Sequence, residues 1–399
     1  MAKKEKKNGY YYAFIAIILI IAIIICLLDY NFRLGLINWD DVLQTNGSND
    51  GSPEESVKVD KVGNLVVTFI DVGQGDAILI EFPDGKNMLV DAGNDTKAVE
   101  KALDKHLTRN GKKLTLHYVV STHSDADHIG SMDYVYANYE VLKSYRPYTR
   151  YTDKNALNFP VGFNIGKSEK NSITYYEYLE NLRKENDNWE FFTDKSEISC
   201  TVSDGNQSYP YSVDFVMPYA QVTSDFDVFK DDVNEVSSIF TVEFAGFKIL
   251  FTGDIEGDAE RLFVKYFNEN ESEKSLIDCD LLKVAHHGSY TSSSSDFLEL
   301  VNCEYSVISC GIDNKYNHPN TTALERIISS TTVYRTDLQG DIVLTVTPNG
   351  DKYFTTQINE FDGYRLYSAD ELEEMDREEK ERGEKGIIDK VKEYKENLQ

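Results

Sequence analysis

Thr122-His-Ser-Asp-Ala-Asp-His128 packs two imidazoles and two carboxylates into six positions, directly after the apolar run 116–120. A short apolar run of this kind reads as a buried strand, so the cluster sits on the loop that leaves a sheet edge. Histidine and aspartate crowded on one turn can converge on a point, and that mixture suits a catalytic divalent metal. The alternative is an N-capped polar loop, since Asp and Ser are common cap residues.

Outward from this loop the same arrangement recurs. Apolar runs at 65–70 and 77–82 flank Asp71-Val-Gly-Gln-Gly-Asp76, and Pro83-Asp-Gly-Lys86 is a hairpin turn leading to a strand at 87–90 and to Asp91-Ala-Gly93. Helical spacing of Val99, Leu103 and Leu107 places a helix over 96–107. Strands at 239–244 and 247–252 frame an Ala245-Gly246 turn and end at Asp254, a helix follows over 259–267, and a strand at 281–285 runs into His286-His287. Strands at 213–217 and 305–309, a helix over 321–328 and a hairpin around Pro348-Asn-Gly350 complete the pattern, with Ser368 and Glu371 forming a capping box for a charged helix read as a solvated appendage. Strands alternating with single helices, with polar groups at strand ends, define an α/β layered protein with its site along one sheet edge.

Three loops then supply six candidate metal ligands: His123, Asp125, Asp127 and His128 from the first, Asp254 from the second and His286 from the third. They could hold one ion, or two ions sharing a carboxylate. Asp71, Asp91 and His287 are expected to support the ligands through hydrogen bonds rather than bind metal. His318, beside Pro319, is either a solvated loop histidine or a group that contacts substrate and protonates a leaving group.

Bulk properties narrow the function classes. Forty-one basic residues against 68 acidic ones give a net charge of −27, which disfavours a broad electrostatic grip on nucleic acid. Five scattered cysteines show neither a CxxC pair nor a disulfide framework. Residues 13–28 form a sixteen-residue uncharged stretch, extended by Tyr10-Tyr12 towards the ~20 residues that span a bilayer. Lys3, Lys4, Lys6 and Lys7 precede it. The expectation is a basic cytoplasmic tail (1–9), a single membrane anchor (10–29), a flexible linker (30–62), a catalytic domain outside the cell membrane (63–360, with a Tyr-rich insertion at 134–233) and a charged C-terminal helix (361–399).

The ordered motifs, with Thr252-Gly-Asp-Ile-Glu256, Leu282-Lys-Val-Ala-His-His-Gly-Ser289, Asn317-His-Pro319 and Arg335-Thr-Asp337, resemble the hydrolase domain of ComEC-type competence proteins, which have the metallo-β-lactamase fold. The resemblance implies an αββα sandwich of two mixed sheets, here preceded by the expected transmembrane helix. Two departures stand out. Asp125 occupies the place of the second histidine of the superfamily's His-x-His-x-Asp-His loop, and no histidine falls between His128 and His286. The resemblance assigns that mid-chain position to Asn234 and Ser237, taken as substrate-binding groups. Oxygen in place of imidazole shifts preference from Zn²⁺ towards Mn²⁺, with one ion held tightly and a second weakly. The implied activity is hydrolysis of a phosphodiester, nucleic acid included, by hydroxide generated on the metal, with Asp127 handling the proton. Hydrolysis of a small ester, lactone or amide, and a non-catalytic assembly role with a degraded site, are the competing readings.

Overall fold

The computed structural model describes residues 55–146, 189–191, 197–217 and 233–398, with the single positions 174, 177, 178 and 181. Two eight-stranded sheets dominate these residues. The first runs in the order Glu55–Lys58, Glu197–Ser203, Ser208–Met217, Ile239–Phe244, Phe247–Phe251, Leu281–Lys283, Tyr305–Ile308 and Thr332–Arg335. The second runs Trp189–Phe191, Ser144–Arg146, Tyr118–Val120, Asn87–Val90, Ile78–Glu81, Leu65–Phe69, Ile342–Val346 and Lys352–Thr356. Both are mixed. Hairpins give antiparallel pairs such as Phe240 with Phe251, and helical crossovers give parallel pairs such as Leu281 with Tyr305 and Met88 with Tyr118.

Local chemistry explains the hairpins. Ala245 and Gly246 both take positive φ, 52° and 77°, the geometry a two-residue hairpin demands. Phe82 and Lys86 close the Pro83-Asp-Gly turn with a 2.8 Å backbone bond.

The sheets face each other across Val67, Phe69, Ile80, Phe240, Phe251 and Leu344, all fully buried, and the Phe240 and Phe251 rings stack at 4.8 Å. Helices Gly257–Glu269, Ser295–Val301 and Thr321–Ile328 cover the outside of the first sheet, with Phe263, Phe267, Phe297 and Leu324 turned inward. Burial of each such side chain contributes roughly 1.5–3 kcal/mol. Lys97–Leu107, capped by Thr96, and Met132–Asn138 cover the second sheet. This is the αββα sandwich implied by the motifs.

Four expectations are revised. Among the described residues no helix is long and apolar enough to cross a membrane, and the expected span at 10–29 lies outside them, so the described fold contains no transmembrane helix. The strand Glu55–Lys58 pairs at the edge of the first sheet, inside the stretch read as linker. The C-terminal segment is two helices, Ala369–Glu381 and Ile387–Leu398. The Ser368–Glu371 capping box is present, but Leu372, Ile387, Ile388 and Val391 bury a face against Leu338, Ile358 and Phe361, so the pair is a packed element rather than a solvated appendage. Of the Tyr-rich insertion, Tyr134 and Tyr139 both donate to Asp104 and Tyr145 joins the inter-sheet core, while most of 147–188 lies outside the described residues.

Candidate metal centre

Every functional side chain leaves the same end of the two sheets. The second sheet delivers Asp91 after Asn87–Val90 and the loop 122–128 after Tyr118–Val120. The first delivers Asp254 after Phe247–Phe251 and His286 with His287 after Leu281–Lys283. The site is therefore divided between the two sheets.

Three atoms meet at its centre. His128 Nε2 and His287 Nε2 each lie 3.2 Å from Asp254 Oδ2 and 3.2 Å from one another. Asp127 Oδ2 stands 3.5 Å from His287 Nε2 at the open rim, its side chain 23% exposed. The tautomers follow from the far edges of the rings. His287 Nδ1 donates to the carbonyl oxygen of Ser309 at 2.8 Å, an atom that can only accept. His128 Nδ1 donates to Asp91 Oδ2 at 2.8 Å, and that carboxylate also accepts from the Thr122 N–H and hydroxyl. With both Nδ1 atoms carrying hydrogen, neutral rings present two lone pairs to each other beside a carboxylate. Such an arrangement requires positive charge between the rings, from a proton or a bound cation. Edges of 3.2 Å are those of ligands about 2.0–2.1 Å from a shared centre.

Electrostatics say the same. Burial disfavours charge on His128, yet Asp254 and Asp91 hold its pKa well above the ordinary value; His287, likewise buried, is pushed up to about 10 by Asp254 and Asp127. Burial would raise Asp254 and Asp127, but His128 and His287 hold both well below the usual carboxylate range. The carboxylates demand positive charge at the imidazoles, from protons or from a metal. Asp254 Oδ1 and His123 Nε2 are buried without a hydrogen-bonding partner, as acceptors reserved for an ion would be. The buried Asp76, His128, Asp254 and His287 form a cluster able to bind a metal.

The structure brings together Asp127, His128 and Asp254 as expected, and rearranges the rest. His287, expected behind the ligands, is one of the three central groups. His286 turns aside: its Nδ1 lies 2.9 Å from Glu256 Oε1 and its Nε2 3.9 Å from Asp254. The cause is local, because both histidines adopt left-handed φ, 47° and 54°, so their side chains do not follow the alternation of a strand. Gly288 continues the turn at φ 81°, and a Cβ there would sit 2.7 Å from Pro319. His123 is buried with its ring 4.1 Å from that of His128, close enough to serve a second position through its free Nε2. Asp125 is half-buried at the rim, where its backbone carbonyl accepts from His128 and Ile129.

Around these groups, Asp91 supports His128 as expected. Asp71 does not reach the centre; its carboxylate pairs with Lys395 at 2.5 Å, and its N–H donates to Asp341. Ser237 Oγ accepts from the Asp254 N–H at 3.1 Å, which makes Ser237 a support of that loop, and Asn234 opens the short helical turn preceding it. His318 is buried rather than solvated, stacked on Tyr316 at 5.7 Å and held through its backbone by Asn314. Burial and the neighbouring His287 and His286 push its pKa down to about 4, so it is a neutral imidazole at neutral pH and not a charged acid.

Sequence reasoning missed Asp76 and Lys283. Asp76 was read only as the end of a glycine turn, yet its Oδ2 lies 2.7 Å from the buried Lys283 Nζ. A lysine inside the apolar strand Leu281–Lys283 was the available signal, because a buried ammonium must be paired.

Gln74, whose side-chain nitrogen lies 3.5 Å from His318 Nδ1, also lines a cavity of about 540 Å³ that is bordered by Lys101, Lys105, His106 and Lys395 and by none of the central groups. Lys105 and Lys395 are paired with Asp341 and Asp71, so its charge is mixed rather than basic.

Residues 70–191 match the profile of the metallo-beta-lactamase superfamily, and a fold of two mixed sheets with this cluster at their edge agrees with that match. The chain is similar to ComE operon protein 3 of Bacillus subtilis (strain 168), 27% identical over 293 residues, which cover 69% of this chain and 32% of that protein. Recombination protein 2 of Haemophilus influenzae is 28% identical over 264 residues (65% and 26%), and Competence protein ComA of Neisseria gonorrhoeae 32% over 131 (33% and 18%). The resemblance to ComEC-type competence proteins read from the motifs therefore stands. The chain spans less than a third of the length of each of these relatives.

Proposed function

We propose that the domain is a divalent-metal-dependent hydrolase of phosphodiesters, with nucleic acid as its substrate class. The observation that supports the metal dependence is the triangle of His128 Nε2, His287 Nε2 and Asp254 Oδ2, whose 3.2 Å edges suit a shared cation. An ion held there would neutralise charge on phosphoryl oxygens and acidify water, with Mn²⁺ favoured over Zn²⁺ by the oxygen-rich surroundings.

The chain's own groups do the rest. Asp91 and the Ser309 carbonyl fix the two rings, so the lone pairs are aimed before any ligand arrives. Asp127, ionised and open to solvent at the rim, orients the attacking water by accepting its hydrogen bond. His318, neutral and walled by Tyr316 and Asn314, serves as a hydrogen-bond partner to the substrate. Relatives named for competence and recombination support nucleic acid as the phosphodiester. The mixed-charge cavity and the net charge of −27 favour single-stranded or short substrates over duplex.

The test is hydrolysis by the full chain with Mn²⁺, Zn²⁺ or Mg²⁺ of single-stranded DNA, duplex DNA and a generic phosphodiester, beside Asp254→Asn. Metal-dependent cleavage lost in Asp254→Asn supports the proposal. Equal rates in both proteins would refute it, and cleavage of a lactone or ester but no phosphodiester would replace the substrate.

A further inference from the structure

Asp76 and Lys283 stand just behind the metal ligands, and nothing in the hydrolytic reading uses them. Both are buried, 2% and 1% exposed, and their charged atoms are 2.7 Å apart. Lys283 also donates to the carbonyl of Val284 at 2.9 Å. Asp76 approaches His128 and His287 at their Nδ1 edges, 3.9 and 3.8 Å away. Those edges are already satisfied by Asp91 and Ser309, and the converging Nε2 edges face Asp254.

The two partners belong to different halves of the site. Lys283 ends the strand of the first sheet that delivers His287. Asp76 belongs to the loop after Leu65–Phe69 of the second sheet, and that loop carries the other half. The Asp76 N–H donates to the Asp127 carbonyl at 3.1 Å, its own carbonyl accepts from Gly93 N, and Gly75 lies so close that a Cβ would stand 2.2 Å from Asp127 O. A displacement of Asp76 is thus a displacement of Asp127 and its helical turn.

We propose that the Asp76–Lys283 ion pair is a cross-sheet clamp that sets the separation of the two half-sites, and that Lys283 is a positioning residue for metal binding. The inference rests on the metal-centre reading above. The sheets are also joined by the Ser238 N–H to Thr122 carbonyl bond at 2.9 Å and by Tyr211 to Asp84 at 3.0 Å, but Asp76–Lys283 is a fully buried ion pair directly behind the ligands, and its short, directional bond fixes their separation tightly. One Asp76 oxygen is committed to the ammonium, while its Oδ1 is buried without a hydrogen-bonding partner, so the clamp and ligand views of Asp76 must be separated by experiment.

The competing view, Asp76 as a metal ligand, predicts the opposite sign. On that view, Lys283→Met frees a carboxylate for the ion and tightens binding. On the clamp view, Lys283→Met loosens Mn²⁺ by about 10–100-fold, the range for groups that orient ligands. Asp76→Asn does the same, and the double variant is no worse than either single, because one interaction is being removed.

The experiment measures Mn²⁺ affinity of the folded full-length wild type, both single variants and the double variant by calorimetry, with the visible spectrum of the Co²⁺-loaded proteins as a second readout. A merely structural pair would leave the Co²⁺ bands unchanged; the clamp predicts altered bands in all three variants. Tighter or unchanged Mn²⁺ binding in Lys283→Met overturns the proposal. Should that variant fail to fold with an unpaired buried carboxylate, the charge-free double variant decides: about tenfold or greater loosening supports the clamp, and wild-type affinity overturns it. Failure of the wild type itself to bind Mn²⁺ or Co²⁺ would instead refute the metal centre.

Discussion

His287→Ala and His286→Ala differ by one position in sequence and should differ widely in effect. His287 places Nε2 3.2 Å from both Asp254 Oδ2 and His128 Nε2, with its other nitrogen anchored on Ser309. His286 places Nδ1 2.9 Å from Glu256, and its nearest approach to Asp254 is 3.9 Å. Groups that merely orient a ligand change metal affinity by about 10–100-fold. Loss of a direct ligand should therefore exceed about 100-fold, or roughly 2.8 kcal/mol at about 1.4 kcal/mol per decade. His286→Ala should cost less than about tenfold. Competition of each purified variant against a chelator for Mn²⁺ measures both values, with circular dichroism confirming the fold. Retention of metal by His287→Ala together with its loss from His286→Ala would refute the assignment and restore the order expected from the sequence.

Other perturbations test separate parts of the account. Asp127→Asn keeps the fold and lowers phosphodiester turnover by at least about 10²–10⁴-fold, measured at saturating Mn²⁺. His318→Ala slows turnover while leaving metal content unchanged, and because its pKa lies near 4 the wild-type rate shows no inflection from it between pH 5 and 8. Asp341 links the second sheet to helix Lys97–Leu107; burial would raise its pKa, but His106 at 3.0 Å and Lys105 at 2.6 Å hold it well below the carboxylate range. A depressed folded pKa means that its contribution is complete above the unfolded value near 4 and is lost as pH falls through the folded one. Asp341→Asn is accordingly about 1.5–3 kcal/mol less stable than wild type at pH 7 in urea melts, and the gap closes towards pH 2.

The sandwich and the edge on which its site lies were legible because buried strands here end abruptly at polar loops, and each loop announces itself by Asp, His or Gly. Asp127, His128 and Asp254 followed from that. The choice between His286 and His287 did not, since two successive left-handed residues reverse the expected facing, in a turn that Gly288 continues against Pro319. Asp71 and Asp76 looked alike at the two ends of one glycine loop. Only the fold shows that the first meets Lys395 and the second Lys283. The docking of the C-terminal helices was hidden by composition: their exposed faces are so charged that the narrow stripe of Leu372, Ile388 and Val391 barely shows in the sequence.

Anomalous diffraction at the manganese edge from crystals grown with Mn²⁺ tests the central claim most directly. The account predicts the strongest peak about 2.0–2.2 Å from His128 Nε2, His287 Nε2 and Asp254 Oδ2 together. A strongest peak between His286 and Glu256, or no peak at this sheet edge, would contradict it.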